Sequence, residues 1–337
     1  MNRIIKYQES IVKFLKSKSC FVKLLKTNKI YDDIINTSNH ILPIVLLSVL
    51  NNQTKNKDLK SYHGHYMASG IDIMMVIVLI FDNENYYYTK FGKENIMNFL
   101  LEMPIHINKC LAQNLEILDN IISPDIILKI FHNTFNIIQT NMLLLMKKED
   151  FIIGDIAVNK TDIIKFHFKD KTLLKTKYKN LKQFDMEKIN NYIENKYGSV
   201  CKCSLLMGFL LSANNNVNDN KKIERLEQMG KYLGYILKIS NDFINLERDI
   251  KYSDVYSNNY IVNYGIHSCF SLFVENKIKL IEGFIELNIY TNTIKELIEY
   301  VENNFDNCLN NTDIELQSMY SSFTDSSNTK KSSDVNE

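Results

Sequence analysis

Residues 230–249, GKYLGYILKISNDFINLERD, decide how this chain is read. Leu233, Ile236, Ile239, Phe243 and Leu246 recur at three- and four-residue spacing, which marks the buried face of a helix. Lys238, Asn241, Asp242 and Asn245 fall at i, i+3, i+4 and i+7 and share one other face. A narrow polar stripe pointing into an apolar bundle is either a binding site or a hydrogen-bonded network that holds helices in register.

The same helical periodicity continues on both sides. Apolar residues at helical spacing run through 41–50, 71–81, 96–117, 126–146, 189–211, 223–248 and 278–305, and strand-like alternation is not sustained anywhere. Ser123-Pro124 ahead of Asp125 is a helix-start signal. With only 10 Gly and 3 Pro in 337 residues, a fold dense in tight turns is excluded, and 45% hydrophobic residues suffice for a large core. The expectation is an all-α protein. Residues 1–30 carry Arg3 and seven lysines against Glu9 alone, and read either as an organelle transit peptide or as a first helix with a solvated lysine face. Residues 31–316 form the helical domain, with a basic insertion at 149–188, and the polar segment 317–337 is a disordered tail.

A net charge of +1 gives no reason to expect a nucleic acid partner. The six cysteines are scattered and read as reduced thiols; Cys201 and Cys203 point to different sides of a helix, and His63 with His65 lacks a third ligand, so neither pair makes a metal site. The longest wholly apolar run, 73–81, is shorter than a membrane span, and no transmembrane helix is expected.

The order of local motifs resembles the trans-prenyltransferases, the all-α isoprenoid diphosphate synthases. SNHILPIVLLSVLN at 38–51 resembles their GKRLRP helix, and KFGKENIMNFLLEM at 90–103 the segment after their first aspartate-rich motif. YGSVCKCSLLMGFLLSAN at 197–214 is similar to the helix whose lysine holds a diphosphate, with Lys202 in the lysine place and Cys203 where Thr stands. GKYLGYILKISNDFIN at 230–245 is similar to GxxLGxxFQIxDDxxD. The resemblance implies an isoprenoid synthase-like helical bundle around a central cavity, in which two carboxylate clusters bridge Mg²⁺ to an allylic diphosphate.

Here those clusters are thinned. The first aligns with Asp82-Asn83-Glu84-Asn85-Tyr86, leaving Asp82 and Glu84; the second keeps Asp242 between Asn241 and Asn245. Asn39, His40 and Leu42 stand where Lys and two Arg are expected, and Asn259 where a later lysine is. An amide oxygen can touch a metal but cannot balance its charge, and Lys238 on the same face discourages a divalent cation unless it pairs with Asp242. Within the family the resemblance is greatest to the non-catalytic second subunit of heteromeric decaprenyl and solanesyl diphosphate synthases. It implies a degenerate subunit without cofactor that supports a catalytic polyprenyl diphosphate synthase in making the ubiquinone side chain in the mitochondrion, as a heteromer, with a homodimer as the other arrangement. Lys202 and Lys238 are the diphosphate-binding candidates. Two rivals stand beside it: a divergent active synthase using Asp82, Glu84 and Asp242 with Mg²⁺, and a stand-alone prenyl or prenyl-diphosphate binding protein.

Overall fold

A computed structural model describes residues 2–36, 38–147, 153–157, 178–212 and 219–309. Most of the basic insertion and the whole of the 317–337 tail therefore lie outside the described residues. Among those described, the chain is a helical bundle: α1 (Asn2–Ser17), α2 (Ser19–Thr27), α3 (Lys29–Ile35), α4 (Ile41–Gln53), α5 (His65–Asp82), α6 (Glu84–Phe91), α7 (Lys93–Asp119), α8 (Pro124–Met146), α9 (Met186–Ile193), α10 (Ser199–Leu211), α11 (Asn220–Tyr252), α12 (Tyr260–Glu286) and α13 (Asn292–Leu309). A π turn, Glu194–Gly198, joins α9 to α10.

The centre is made by helices that are apolar nearly all round. Leu42 to Leu50 of α4 are all buried, as is almost every residue of α10; the two pack on each other and on α5, and α10 also packs on α11. Such helices cannot face water on any side, so the amphipathic ones surround them. Local chemistry sets the boundaries. Asn28, Asn83, Asp185, Asp219 and Asn259 each accept backbone N–H groups at the start of α3, α6, α9, α11 and α12. Pro124 opens α8 at its first turn, where its missing N–H costs nothing.

The α10–α11 crossing needs two glycines. A methyl on Gly234 would come within 2.7 Å of the Gly198 backbone nitrogen, and one on Gly230 within 2.7 Å of the Lys202 Cα, so any side chain would drive the helices apart.

Two sequence expectations need correction. The 278–305 stretch is two helices, because Asn288 takes a left-handed turn (φ 56°) between α12 and α13. Within the 149–188 insertion, β1 (Ile153–Ala157) pairs antiparallel with β2 (Lys182–Phe184), a ladder too short for alternation to announce it. The expectation that no helix spans a membrane is consistent with the structure: a short 3₁₀ turn joined to α5 gives a 22-residue helix, Ser61–Asp82, of mean hydropathy 1.7, which by length and composition alone could cross one. Its most apolar window is 78% buried within the bundle, where it serves as a core helix.

The basic N-terminus is folded onto the same core. Ile4, Ile11, Leu15, Phe21 and Leu24 are buried, Ser10 Oγ lies 3.0 Å from His65 Nε2, and the lysines occupy the outer face. Removing these helices would uncover that apolar row and the α5 surface beneath it.

Candidate functional site

Asp82 ends α5 and Asp242 lies midway along α11, and the crossing of these helices brings them to the two sides of one ammonium. Lys238 Nζ is 2.6 Å from Asp82 Oδ1 and 2.6 Å from Asp242 Oδ1, and all three side chains are at most 2% exposed. Lys238 reaches Asp242 because the two are four residues apart on one helix.

Both oxygens of each carboxylate are engaged, and those of Asp82 are filled. Asp82 Oδ1 also receives the Tyr192 hydroxyl at 3.3 Å, while its Oδ2 accepts the Tyr197 hydroxyl and the Asn241 amide, each at 3.0 Å. Four donors fill the roughly four lone-pair sites of a carboxylate. Asp242 Oδ2 accepts the Tyr260 backbone N–H at 2.8 Å. Burial works against the charge on Lys238, but Asp242 and Asp82 outweigh it and hold the ammonium above its ordinary pKa. Burial also pushes the Asp242 carboxyl up, against the pull of Lys238. Since both Asp242 oxygens face donors and a carboxyl proton there would meet no acceptor, the Lys238–Asp242 pair is charged. Burial and the neighbouring Asp82 and Asp242 keep the Tyr192 and Tyr197 phenols far above their usual pKa, so both remain donors.

A second layer braces the first. Asn245 Nδ2 donates to Asn241 Oδ1 at 2.8 Å, fixing the amide that serves Asp82. Asp249 accepts from Asn83 (2.8 Å), Asn259 (3.0 Å) and Arg248 (3.0 Å). Asn259, where the resemblance expects a basic residue, caps α12 and also donates to the Asp242 backbone carbonyl at 2.9 Å.

Two cavities flank the cluster. One, about 420 Å³, is lined by Asp82, Glu84, Lys147, Lys196, Tyr192 and the 252–258 loop. The other, about 390 Å³, lies between α4, α5, α11 and α13 and is lined among others by His40, Asp72, Leu237, Asn241, Asn245 and Arg248. Asp82 lines the first and Asn241 the second, and they are hydrogen-bonded, so the cluster is part of the partition between them. Lys238 and Asp242 line neither cavity.

The remaining positions singled out in the sequence are placed as follows. Glu84 sits at the rim of the first cavity and accepts the Tyr88 hydroxyl at 3.1 Å. Lys202 is half-buried on the α10 face that meets Gly230 and lines none of the cavities described. Two lysines do face the first cavity, Lys147 and, six residues before Lys202, Lys196, whose ammonium bonds the Leu145 carbonyl at 2.6 Å and the Lys147 carbonyl at the end of α8. His40 pairs with Asp72 at 2.6 Å. The His63 and His65 rings are used locally, against the Lys60 amide and the Tyr62 carbonyl. Cys201 and Cys203 are buried free thiols. Among the described residues no group of three or more His, Cys, Asp and Glu is placed to hold a metal.

Sequence reasoning missed Tyr192, Tyr197, Lys196, Asp249 and the His40–Asp72 pair. Asp249 had a signal, since it follows Asp242 by seven residues on the same helical face. The tyrosines had none: five residues apart, they would diverge on a regular α-helix, and the π turn between them brings both hydroxyls to Asp82.

No family model and no curated protein matches this chain. Solved structures do. A geranyltransferase from Helicobacter pylori, complexed with magnesium and isoprenyl diphosphate, superposes with a TM-score of 0.55 at 15% identity, covering 91% of this chain and 97% of that one. A geranyltransferase from Legionella pneumophila gives 0.51 at 12% identity, covering 91% and 96%. The chain therefore has the all-α fold of the isoprenyl diphosphate synthases. Magnesium does not fit this donor set: it requires several anionic oxygens at about 2.0–2.1 Å in octahedral array. The two facing carboxylates already have an ammonium between them, Asp82 has its acceptor sites filled, and each Asp242 oxygen already faces a donor.

Proposed function

We propose that this chain is a catalytically degenerate polyprenyl diphosphate synthase-like subunit that supports a catalytic partner of the same fold in long-chain isoprenoid synthesis. The carrying observation is the saturation of Asp82 by Lys238, Tyr192, Tyr197 and Asn241, with Asp242 tied to the same ammonium and to the Tyr260 amide. A carboxylate whose lone pairs all point at internal donors cannot draw charge off a leaving diphosphate through a metal.

The pairing half of the proposal draws on the outer face of α7 and α8. Met97, Leu101 and Ile105 lie at i, i+4 and i+8 on α7, and Leu128, Phe131, Phe135 and Leu143 on α8, all exposed, with Leu101 at 69% and Leu143 at 75%. The two helices pack together and are tied by a Gln139–Asn108 bond, so these exposed apolar residues belong to neighbouring helices. Apolar surface of this kind marks an association site. The proposal extends to the mitochondrion and the ubiquinone side chain, supported by the resemblance alone.

The purified chain, incubated with allylic and homoallylic diphosphates and Mg²⁺, is expected to yield no elongated product. Co-expression with a catalytic long-chain synthase from the same organism is expected to give a stable complex with higher activity than the partner alone. Elongation by the isolated chain sinks the degenerate reading; an unchanged partner sinks the pairing.

A further inference from the structure

The cluster at the α5–α11 crossing is organised round a cation that belongs to the chain. Lys238 Nζ has a carboxylate oxygen at 2.6 Å on two sides, and the rings of Tyr197 and Tyr192 stand 5.7 and 6.0 Å away. These are ammonium contacts, longer than magnesium–oxygen bonds and partly aromatic.

We infer that the Lys238 ammonium is a built-in replacement for a divalent cation: it supplies the positive charge that lets Asp82 and Asp242 face each other, so the bundle is complete without metal and does not respond to one. This inference stands on the cluster geometry alone and does not depend on which partner, if any, the chain supports.

Three features carry it. Without Lys238, Asp82 and Asp242 would be two buried carboxylates sharing one space, which forces a proton onto one of them or forces the helices apart. Each is also held by its second oxygen: Asp82 Oδ2 by Tyr197 and Asn241, Asp242 Oδ2 by the Tyr260 amide. Truncating the lysine therefore leaves two anchored anionic oxygens on opposite sides of a vacated volume. Finally, Lys238 and Asp242 have no side-chain exposure and line neither cavity, so solvent ions do not reach the contact between them while the lysine is in place.

The test compares the full-length chain with Lys238→Ala and with Lys238→Ala/Asp242→Asn, each in EDTA and in millimolar Mg²⁺ or Mn²⁺. Thermal unfolding reads stability, and water-proton relaxation by Mn²⁺ reads binding directly. The wild-type midpoint is expected to stay within about 1 °C in all buffers, and Lys238→Ala to fall by roughly 10 °C, with at least half restored by metal. Lys238→Ala should bind Mn²⁺, whereas wild type and the double variant should not. If Lys238→Ala does not fold in EDTA, recovery of soluble, folded protein only when Mn²⁺ is present during refolding supports the inference. A metal-responsive wild type, a folded Lys238→Ala blind to metal, a double variant that still responds, or a Lys238→Ala that fails to fold with and without metal would each overturn it.

Discussion

The α5–α11 crossing and the outer face of α7–α8 break the usual division of polar and apolar residues in opposite ways. The first buries Asp82, Lys238, Asp242, Asp249, Tyr192 and Tyr197, and gives each charge a partner within 3.0 Å. The second leaves Leu101, Leu128, Phe131 and Leu143 exposed among the described residues. Burying charge is costly unless every donor and acceptor is met, while exposing apolar surface is costly unless something covers it. The inner region has met its requirement within the chain, and the outer one has not.

The largest effect should come from the inner region. Asp82→Ala removes the acceptor of four donors and half of the charge that balances Lys238, and is expected to cost about 3–5 kcal/mol in urea unfolding. Glu84→Ala, two residues along and at a cavity rim, should stay within about 0.5 kcal/mol. Equal losses for the two would mean that saturation at Asp82 contributes nothing particular. The outer region should behave inversely. Leu101→Asp is expected to leave monomer stability within about 0.5 kcal/mol while abolishing assembly, read by light scattering on the chain alone and with its partner. An intact assembly would show that this face is not the one used.

The contrast also explains what the sequence could disclose. The α11 stripe was legible because its residues belong to one regular helix, where a period of 3.6 places Lys238, Asn241, Asp242 and Asn245 together. The pairing of Lys238 with Asp242 follows from the same period, and only its reach to Asp82 required the fold. Residues that join the cluster from other elements were invisible. Tyr192 and Tyr197 depend on a π turn that no residue type announces, and Lys196 rather than Lys202 faces a cavity because of the phase at which α10 leaves that turn. The break at Asn288 fell within continuous apolar periodicity, and asparagine is so common in this chain that one more carried no weight. The apolar stripe on α7–α8 read as ordinary core, since periodicity shows that a face is apolar but not what covers it.

His40 and Asp72 form a second buried acid–base pair, and unlike Lys238 its cation can be switched off near neutral pH. Burial opposes protonation of His40, but the charge and hydrogen bond of Asp72 outweigh it and raise its pKa above the ordinary value. A histidine raised on folding contributes stability that is fully present below its unfolded pKa, about 6.5, and is lost as pH rises through the folded value. Asp72, raised by burial against the pull of His40, acts in the carboxylate range instead. His65 and His63 are lowered by burial, so their contributions are lost as pH falls below about 6.5 and do not overlap the His40 window. Above about pH 6.5 the wild type should therefore lose stability relative to His40→Gln as pH rises, the smallest of the effects considered and one visible only as a difference between the two urea profiles. Parallel profiles across that window would mean that the folded protein holds His40 neutral, leaving Lys238 as the permanent cation and His40 as a hydrogen-bond partner only.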